Sequence, residues 1–590
     1  MKNKALYQYF FIPLLTWWCL FVLMSCSSQP KESRIPAVME QTIRQIYQRQ
    51  EVDLFKDISQ EEILPYFNAD GLRVLANDYW GFEVNSDVEV FVCRDVQQKE
   101  VPFWLVQDDF HKTTDTVRNE NVNYEVWRKV FQKGKVQLGI NGFDRHRYVY
   151  FVVVKALDNK KSLQITPIWP KEQDVNPVKI GSVIYHDWEE LTLTALPDYF
   201  EGGYILPTIR GRSREAHLIG AFRHTDYPAT SQPDQLIRTW TGDPKTSLDI
   251  SWRTGIEVAS CSVAYWQQGL QDTMTVQANE MVIHDVLLAN DPDIKRFQVS
   301  LTSLKAGTTY GFRILSGVTE SPAYTFTTDS GDDNFEFGWF GDIHNDGRWG
   351  HLFPRWKQMF PNAKFYLQVG DLVNTGLYRD HWDQLLHAGR LLFDHSPFMA
   401  VPGNHDSQEG LFPAMYLNYL KYPHNGPHKE TKGLSYHFVY GNTLFLMLDA
   451  VTISVEDQKQ WVEYVLKASV ERFKIAVFHF PPHTSESTYT DIIQVWEPLF
   501  RKYKVDLVLN GHFHYYHRTA PKSTSSDSPV YVMSVGTKKK GENVKAKTGE
   551  VAVHQGYLYQ HVKINGETLY FTSVDSLGTK IDEFELIKID

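Results

Sequence analysis

Residues 334–344 read Asn-Phe-Glu-Phe-Gly-Trp-Phe-Gly-Asp-Ile-His, an aromatic run that ends on a carboxylate and an imidazole. The run 335–340 reads as a buried strand. Asp342 and His344 stand just past its carboxyl end, where the ligand crevice of an open α/β sheet lies. Four further segments repeat the arrangement: 365–369 leads to Gly370-Asp371, 398–401 to Gly403-Asn404-His405-Asp406, 475–478 to His479, and 505–509 to Gly511-His512-Phe513-His514. The intervals from 342 to 371 and from 371 to 404 each leave room for one helix and one strand.

Taken singly, each segment has an ordinary explanation. Gly-Asp after a strand is a common turn, because Asp bonds to nearby backbone and Gly accepts positive φ. A lone His479 is as readily a core imidazole as a ligand. Gly-His-x-His is more specific, since imidazoles two residues apart in a loop can face two neighbouring ions. The five together, in order, carry the weight. Carboxylate, amide and imidazole donors without cysteine suit Mn, Fe or Zn, whereas all-oxygen sets suit Ca or Mg. Two such ions about 3.5–4 Å apart share a carboxylate and a water and clamp both oxygens of an in-line displacement, a machinery fitted to phosphate esters.

These blocks resemble the calcineurin-like metallophosphoesterases, whose pattern runs D-x-H, G-D, G-N-H-D/E, H and G-H-x-H, and the resemblance covers residues 334–590. It implies an α/β fold: a four-layer β-sandwich flanked by helices. It implies two divalent or mixed-valence ions, one held by Asp342, His344, Asp371 and His514 and the other by Asp371, Asn404, His479 and His512, with Asp371 as the bridge. His405 is implied to lie over the phosphoryl group, where it stabilises charge or protonates the leaving oxygen. Asp406 is expected to orient that imidazole. Asn345, Asp346, Arg348, His483 and the lysines at 538–540 are further candidates for substrate contact, with solvated or loop-capping roles as the alternatives.

The segment 235–328 resembles the sandwich domain that precedes the catalytic domain of purple acid phosphatases. Residues 249–252 alternate in strand fashion, and Leu304-Lys305-Ala306-Gly307-Thr308-Thr309-Tyr310 resembles a fibronectin type III corner with Tyr310 as its corner tyrosine. The purple enzymes follow Gly-Asp with a tyrosine that binds ferric iron, and they carry a different residue at the position of His344. Here Leu372, Val373 and Asn374 follow, so no ligand-to-metal colour is expected. The implied organisation is a domain at 229–330 and a catalytic domain at 334–590, preceded at 37–228 by a mostly β domain with short helices. The fold thus places one or two all-β sandwiches before the catalytic domain. Within 37–228, Met39, Ile43, Ile46 and Tyr47 have helical spacing, Ser59 and Glu62 can form a capping box, and 88–93, 101–106, 136–140 and 148–154 read as strands. Trp80, Trp104 and Trp127 could line a glycan site or fill a core.

Lys2 and Lys4 precede an apolar stretch from Phe10 to Met24 that closes on Leu23-Met24-Ser25-Cys26. This resembles a bacterial lipoprotein signal peptide, 1–25, with Cys26 as the lipid-bearing residue and 26–36 as a tether. Its roughly 15 apolar residues fall short of the roughly 20 that a spanning helix needs. An uncleaved anchor is the alternative. Either way the rest of the chain is expected outside the cytoplasm, at the periplasm or cell surface of a bacterium. A net charge of −11 leaves no broad basic face, so nucleic acid is not an expected partner. Cys93 and Cys261 fall in different expected domains, and a disulfide between them is not favoured.

The expectation is therefore a dinuclear-metal phosphatase that acts on a small phosphoester, with a metal-bridging hydroxide attacking phosphorus in line. The same core would serve a phosphodiesterase or a nucleotide or sugar-nucleotide pyrophosphatase. Two other classes stay open: a glycan- or surface-binding lipoprotein with a relic phosphoesterase domain, and a structural lipoprotein stabilised by metal.

Overall fold

A computed structural model describes residues 33–49, 51–158, 162–170, 173–187, 191–317, 319–408, 410–484, 489–520, 528–537, 546–553 and 556–588. The signal-like segment, Cys26, most of the tether and the lysines at 538–540 lie outside the described residues. Among the described residues no helix is long and apolar enough to cross a membrane.

Two sheets face each other in the C-terminal half. One has six strands, in the order Phe398–Ala400, Ala363–Gln368, Asn334–Phe340, Tyr559–Asn565, Thr568–Val574 and Lys580–Ile587. Its first three are parallel and the rest antiparallel. The other has seven strands, with Thr443–Met447, Phe473–Val477, Leu507–Asn510 and Val530–Met533 parallel at its centre. The opening stretch shows why two sheets are needed. Side chains alternate along a strand, so Phe337 points between the sheets, where its ring lies 5.3 Å from both Phe365 and Phe445. Phe340 points the other way, onto Trp349 and Trp356 of the helix Gly347–Met359. Helices Val455–Ala468 and Thr490–Lys502 cover the outer face of the second sheet through Val462, Val465, Ile492 and Trp496. The result is the expected four-layer arrangement, with all five ligand segments at strand carboxyl ends.

Residues 234–327 form a sandwich of a four-stranded and a five-stranded sheet. The Tyr310 hydroxyl accepts the Lys305 N–H at 2.9 Å, as a corner tyrosine does. The strand Leu248–Gly255 does not alternate in burial; all eight residues are buried. One face of it lies in the sandwich and the other meets the C-terminal unit. That second contact is ionic. Asp383 of the helix Arg379–Ala388 takes hydrogen bonds from Arg253 (2.9 Å), Arg379 (3.3 Å), Gln235 (2.8 Å) and Thr225 (3.0 Å), while the Arg296 guanidinium sits 4.4 Å above the Tyr419 ring. Burial raises the Asp383 pKa and the two guanidiniums oppose that. Asp383→Ala should therefore cost about 1–3 kcal/mol, because two buried cations each lose one hydrogen-bonded carboxylate, Arg253 keeping Asp234 at 2.6 Å and Arg379 keeping Asp291 at 3.0 Å. A urea-denaturation midpoint unchanged from wild type would contradict this.

The N-terminal part is not a pure sandwich. A six-stranded and a three-stranded sheet are accompanied by the helix Ile35–Arg49, whose Met39, Ile43 and Ile46 are buried as their spacing predicts while Tyr47 is half-buried, and by the helix Ala69–Asn77. Ser59 and Glu62 form the capping box. The stretch 101–106 is not a strand. Pro102 lacks the N–H a sheet ladder needs and instead begins the helix Phe103–Gln107, which buries Trp104 with its indole N–H on the Ile140 carbonyl at 2.8 Å. Trp80, Trp104 and Trp127 are all core residues, and Cys93 and Cys261 are buried free thiols. Arg223 locks this part to the others: it pairs with Asp285 at 2.8 Å and with Asp380, and lies 3.9 Å over the Tyr378 ring.

Candidate metal centre

The loops after the five strands bring Asp342, His344, Asp371, Asn404, His479, His512 and His514 together. Each is buried except His512 and His514, which are half-buried. The backbone bends sharply to do so. His344, Asn345, Asp371 and His512 all have φ between +48° and +79°, conformations that cost a non-glycine residue about 1–3 kcal/mol and that concentrate at working sites. The glycines of the motifs serve close approach: a Cβ at Gly403 would run into the Asp371 carboxylate, and one at Gly511 into Asp342.

Donor atoms converge in three overlapping groups, Asp342/His344/His514, His344/Asp371/His405 and Asp371/His479/His512, each with ligand atoms within 4.8 Å of one another. In the first, His344 Nε2 is 2.9 Å from His514 Nε2, and Asp342 Oδ2 is 3.2 Å from His514 Nε2 and 3.8 Å from His344 Nε2. In the third, Asp371 Oδ2 is 3.4 Å from His479 Nε2, and Asn404 Oδ1 is 3.1 Å from His479 Nε2 and 3.0 Å from His512 Nδ1. Such separations suit the edges of coordination shells with metal–ligand distances of about 2.0–2.2 Å. The donor set fits two ions. Asp371, also 3.7 Å from His344 Nε2, is the carboxylate common to both sides.

The charges explain why cations belong here. Burial alone would raise both carboxylates, yet the neighbouring imidazoles of His344 and His514 hold Asp342 well below the usual range, and the charge of His479 does the same for Asp371. Burial alone would lower His479, but Asp371 and then Asp342 raise its pKa to about 9. His512, desolvated and beside His479, drops to about 3. His479 Nδ1 lies 2.9 Å from the Val369 carbonyl; a carbonyl only accepts, so the proton sits on Nδ1 and Nε2 faces the cluster.

His405 stands at the rim, half-buried, with its ring 4.6 Å from that of His344. Its backbone N–H donates to Asp371 Oδ1 at 2.9 Å and its Nδ1 to the Asn374 carbonyl at 2.8 Å. The expected role of Asp406 needs correcting. Its carboxylate does not reach the imidazole but accepts the backbone N–H groups of Gly403 (2.9 Å), Leu372 (3.0 Å) and Val373 (3.2 Å), tying the two loops together. Burial and the neighbouring Asp371 push its pKa up to about 7. Asp346 caps the helix Gly347–Met359 and accepts from Tyr557 (2.8 Å) and Thr537 (3.0 Å). Arg348 pairs with Asp346 at 2.8 Å on the exposed side and does not point inward. His483 bonds Glu497 at 3.0 Å, away from the cluster. Sequence reasoning missed the carbonyls of Val369 and Asn374, because backbone acceptors carry no side-chain signature.

Residues 335–516 match the calcineurin-like phosphoesterase family and residues 233–328 the purple acid phosphatase N-terminal domain. An uncharacterized protein of Mycobacterium tuberculosis is 25% identical over 325 residues, which span 47% of this chain and 60% of the relative. A probable purple acid phosphatase of Arabidopsis thaliana is 26% identical over 304 residues, 48% of this chain and 69% of its own. The chain thus spans less than two thirds of the mycobacterial relative. Among solved structures, a purple acid phosphatase from yellow lupin (Lupinus luteus) seeds superposes with a TM-score of 0.53 at 14% identity, covering 86% of this chain and 94% of its own, a likeness of fold.

Proposed function

We propose that this chain, which carries a calcineurin-like phosphoesterase domain behind a purple acid phosphatase N-terminal domain, hydrolyses small phosphoesters at a two-metal centre. The observation that carries the reading is the convergence of seven donors from five strand ends around the shared Asp371, six of them carboxylates or imidazoles and the seventh the Asn404 amide oxygen beside His479 and His512. Asp342, His344, Asp371 and His514 would hold one ion, and Asp371, Asn404, His479 and His512 the other. When bound, the pair supplies a water of lowered pKa and neutralises phosphoryl charge, with Mn, Fe or Zn as the candidates. The rest falls to the chain. Val369 fixes the His479 tautomer, and Asp406 holds the Asp371 and Asn404 loops in register. His405, with its proton on Nδ1 held by Asn374, turns Nε2 to the phosphoryl group, where, once Nε2 is protonated, it stabilises charge or gives that proton to the leaving oxygen.

Metal analysis of the purified protein, combined with a panel of phosphomonoesters, phosphodiesters and pyrophosphate esters under Mn, Fe and Zn, tests this. Two ions per chain and turnover of at least one class are expected. The panel also separates a phosphatase from a phosphodiesterase or pyrophosphatase. A two-metal protein inert across the whole panel would sink the hydrolase reading and favour a surface-binding role. We also place the chain outside the cytoplasm on a lipid at Cys26, on the strength of the residue pattern of 1–26. Cys26→Ser should abolish fatty-acid labelling and release the protein from the membrane fraction; labelling that survives it would refute the anchor.

A further inference from the structure

We propose that Asn345 is a positioning residue for His405, acting through Asn374; the inference rests on the hydrolase reading above. The backbone at Asn345 has φ +48°, directly after His344 at +52°. Glycine takes that conformation at least cost, with asparagine next. This chain places a side chain there and uses both ends of its amide. Nδ2 donates to Gln384 Oε1 at 2.6 Å, and Oδ1 accepts the Asn374 N–H at 2.9 Å. The backbone N–H of Asn345 also donates to the Leu372 carbonyl at 2.8 Å. Asn345 therefore grips residues 372–374 from two directions.

Asn374 needs such a grip. It is exposed, lies in irregular backbone between the strand Ala363–Gln368 and the helix Arg379–Ala388, and belongs to no sheet ladder. Its carbonyl nevertheless holds His405 Nδ1 at 2.8 Å, the bond that fixes the imidazole's tautomer and direction. The chain of contacts runs from Gln384 on a helix, through the Asn345 amide and the Asn374 peptide, to His405. Gln384 anchors the far end on regular structure. The hydrogen bonds of the Asn345 side chain go to Gln384 and Asn374 and not to a metal donor, so the route from its amide to the site runs through the Asn374 peptide and His405.

Asn345→Gly tests this, because it keeps the left-handed backbone allowed and removes only the amide. In the full-length, metal-loaded protein it should retain both ions and a nearly unchanged KM. It should lose about 10- to 100-fold in kcat on an alkyl phosphate, the usual cost of an outer-sphere partner. It should lose less on p-nitrophenyl phosphate, whose leaving oxygen needs little protonation. Asn345→Asp, which keeps the acceptor for Asn374, should recover much of the loss. In a His405→Ala background Asn345→Gly should add nothing. A readout independent of turnover is the His405 Nδ1–H resonance in ¹⁵N-histidine-labelled protein, assigned by its loss in His405→Ala; it should exchange faster with solvent in Asn345→Gly. If Asn345→Gly does not fold, Gln384→Ala probes the same chain from its other end, with the same readouts and the same direction. An unchanged His405 resonance, equal losses on both esters, or a further loss in the His405→Ala background would overturn the proposal. If the wild type turned over no phosphoester, the hydrolase reading would fail, while the resonance would still decide whether Asn345 holds His405.

Discussion

Asp371→Ala is expected to lose at least one of the two ions and nearly all turnover, a larger effect than the roughly 100-fold that outer-sphere partners reach. The reason is position. Asp371 Oδ2 faces His479 Nε2 at 3.4 Å and His344 Nε2 at 3.7 Å, so one carboxylate serves donors from both sides of the cluster. Its other oxygen takes the His405 N–H at 2.9 Å, so the same residue also sets the rim. With it gone, an ion held by Asn404, His479 and His512 would meet imidazoles and an amide but no anionic donor. Asp371→Asn, which keeps the shape and drops the charge, should move in the same direction by less. Elemental analysis beside kinetics gives the test, and an Asp371→Ala protein with two ions and wild-type turnover would exclude the assignment.

His405→Ala should behave differently: both ions and the fold retained, with kcat down by about 10²- to 10⁴-fold, the range for a lost general acid or charge stabiliser. His405 is less buried than Asp342 or Asp371, and its Nδ1 is committed to the Asn374 carbonyl. A structural observation makes this test decisive, because the His344/Asp371/His405 group also brings ligand atoms within 4.8 Å. If His405 were a metal ligand, His405→Ala would lose an ion together with activity. Unchanged metal content with lost turnover separates the two roles.

Much of the site was legible because metal chemistry is written in side chains. Asp342, His344, Asp371, Asn404, His479, His512 and His514 are residue types that few other structural needs would set at five successive strand ends, and the structure brings all seven together. The four-layer fold was legible through the motif resemblance, and the structure gives its physical reason: the strand Asn334–Phe340 carries bulky residues on both faces and is covered twice. The helical spacing of Met39, Ile43 and Ile46, the capping box at Ser59 and the tyrosine corner at Tyr310 are local patterns with local causes, and they appear as read.

The tertiary structure alone decided the features that depend on what a residue meets. The run 101–106 has strand composition but follows a proline that cannot join a ladder. Asp406 neighbours His405 in sequence, yet its carboxylate goes to three backbone N–H groups, because a buried acid takes the donors that the folded loops present. Arg348 stands near the cluster in the chain but finds Asp346 first. The Asn345 amide, the Asn374 carbonyl and the Asp383 ion network join segments far apart in sequence. Sequence specified which donors the chain can offer, because donor type is a property of each residue. Which atoms hold those donors in place was settled by the fold, because a hydrogen bond is a property of two groups and of the distance between them.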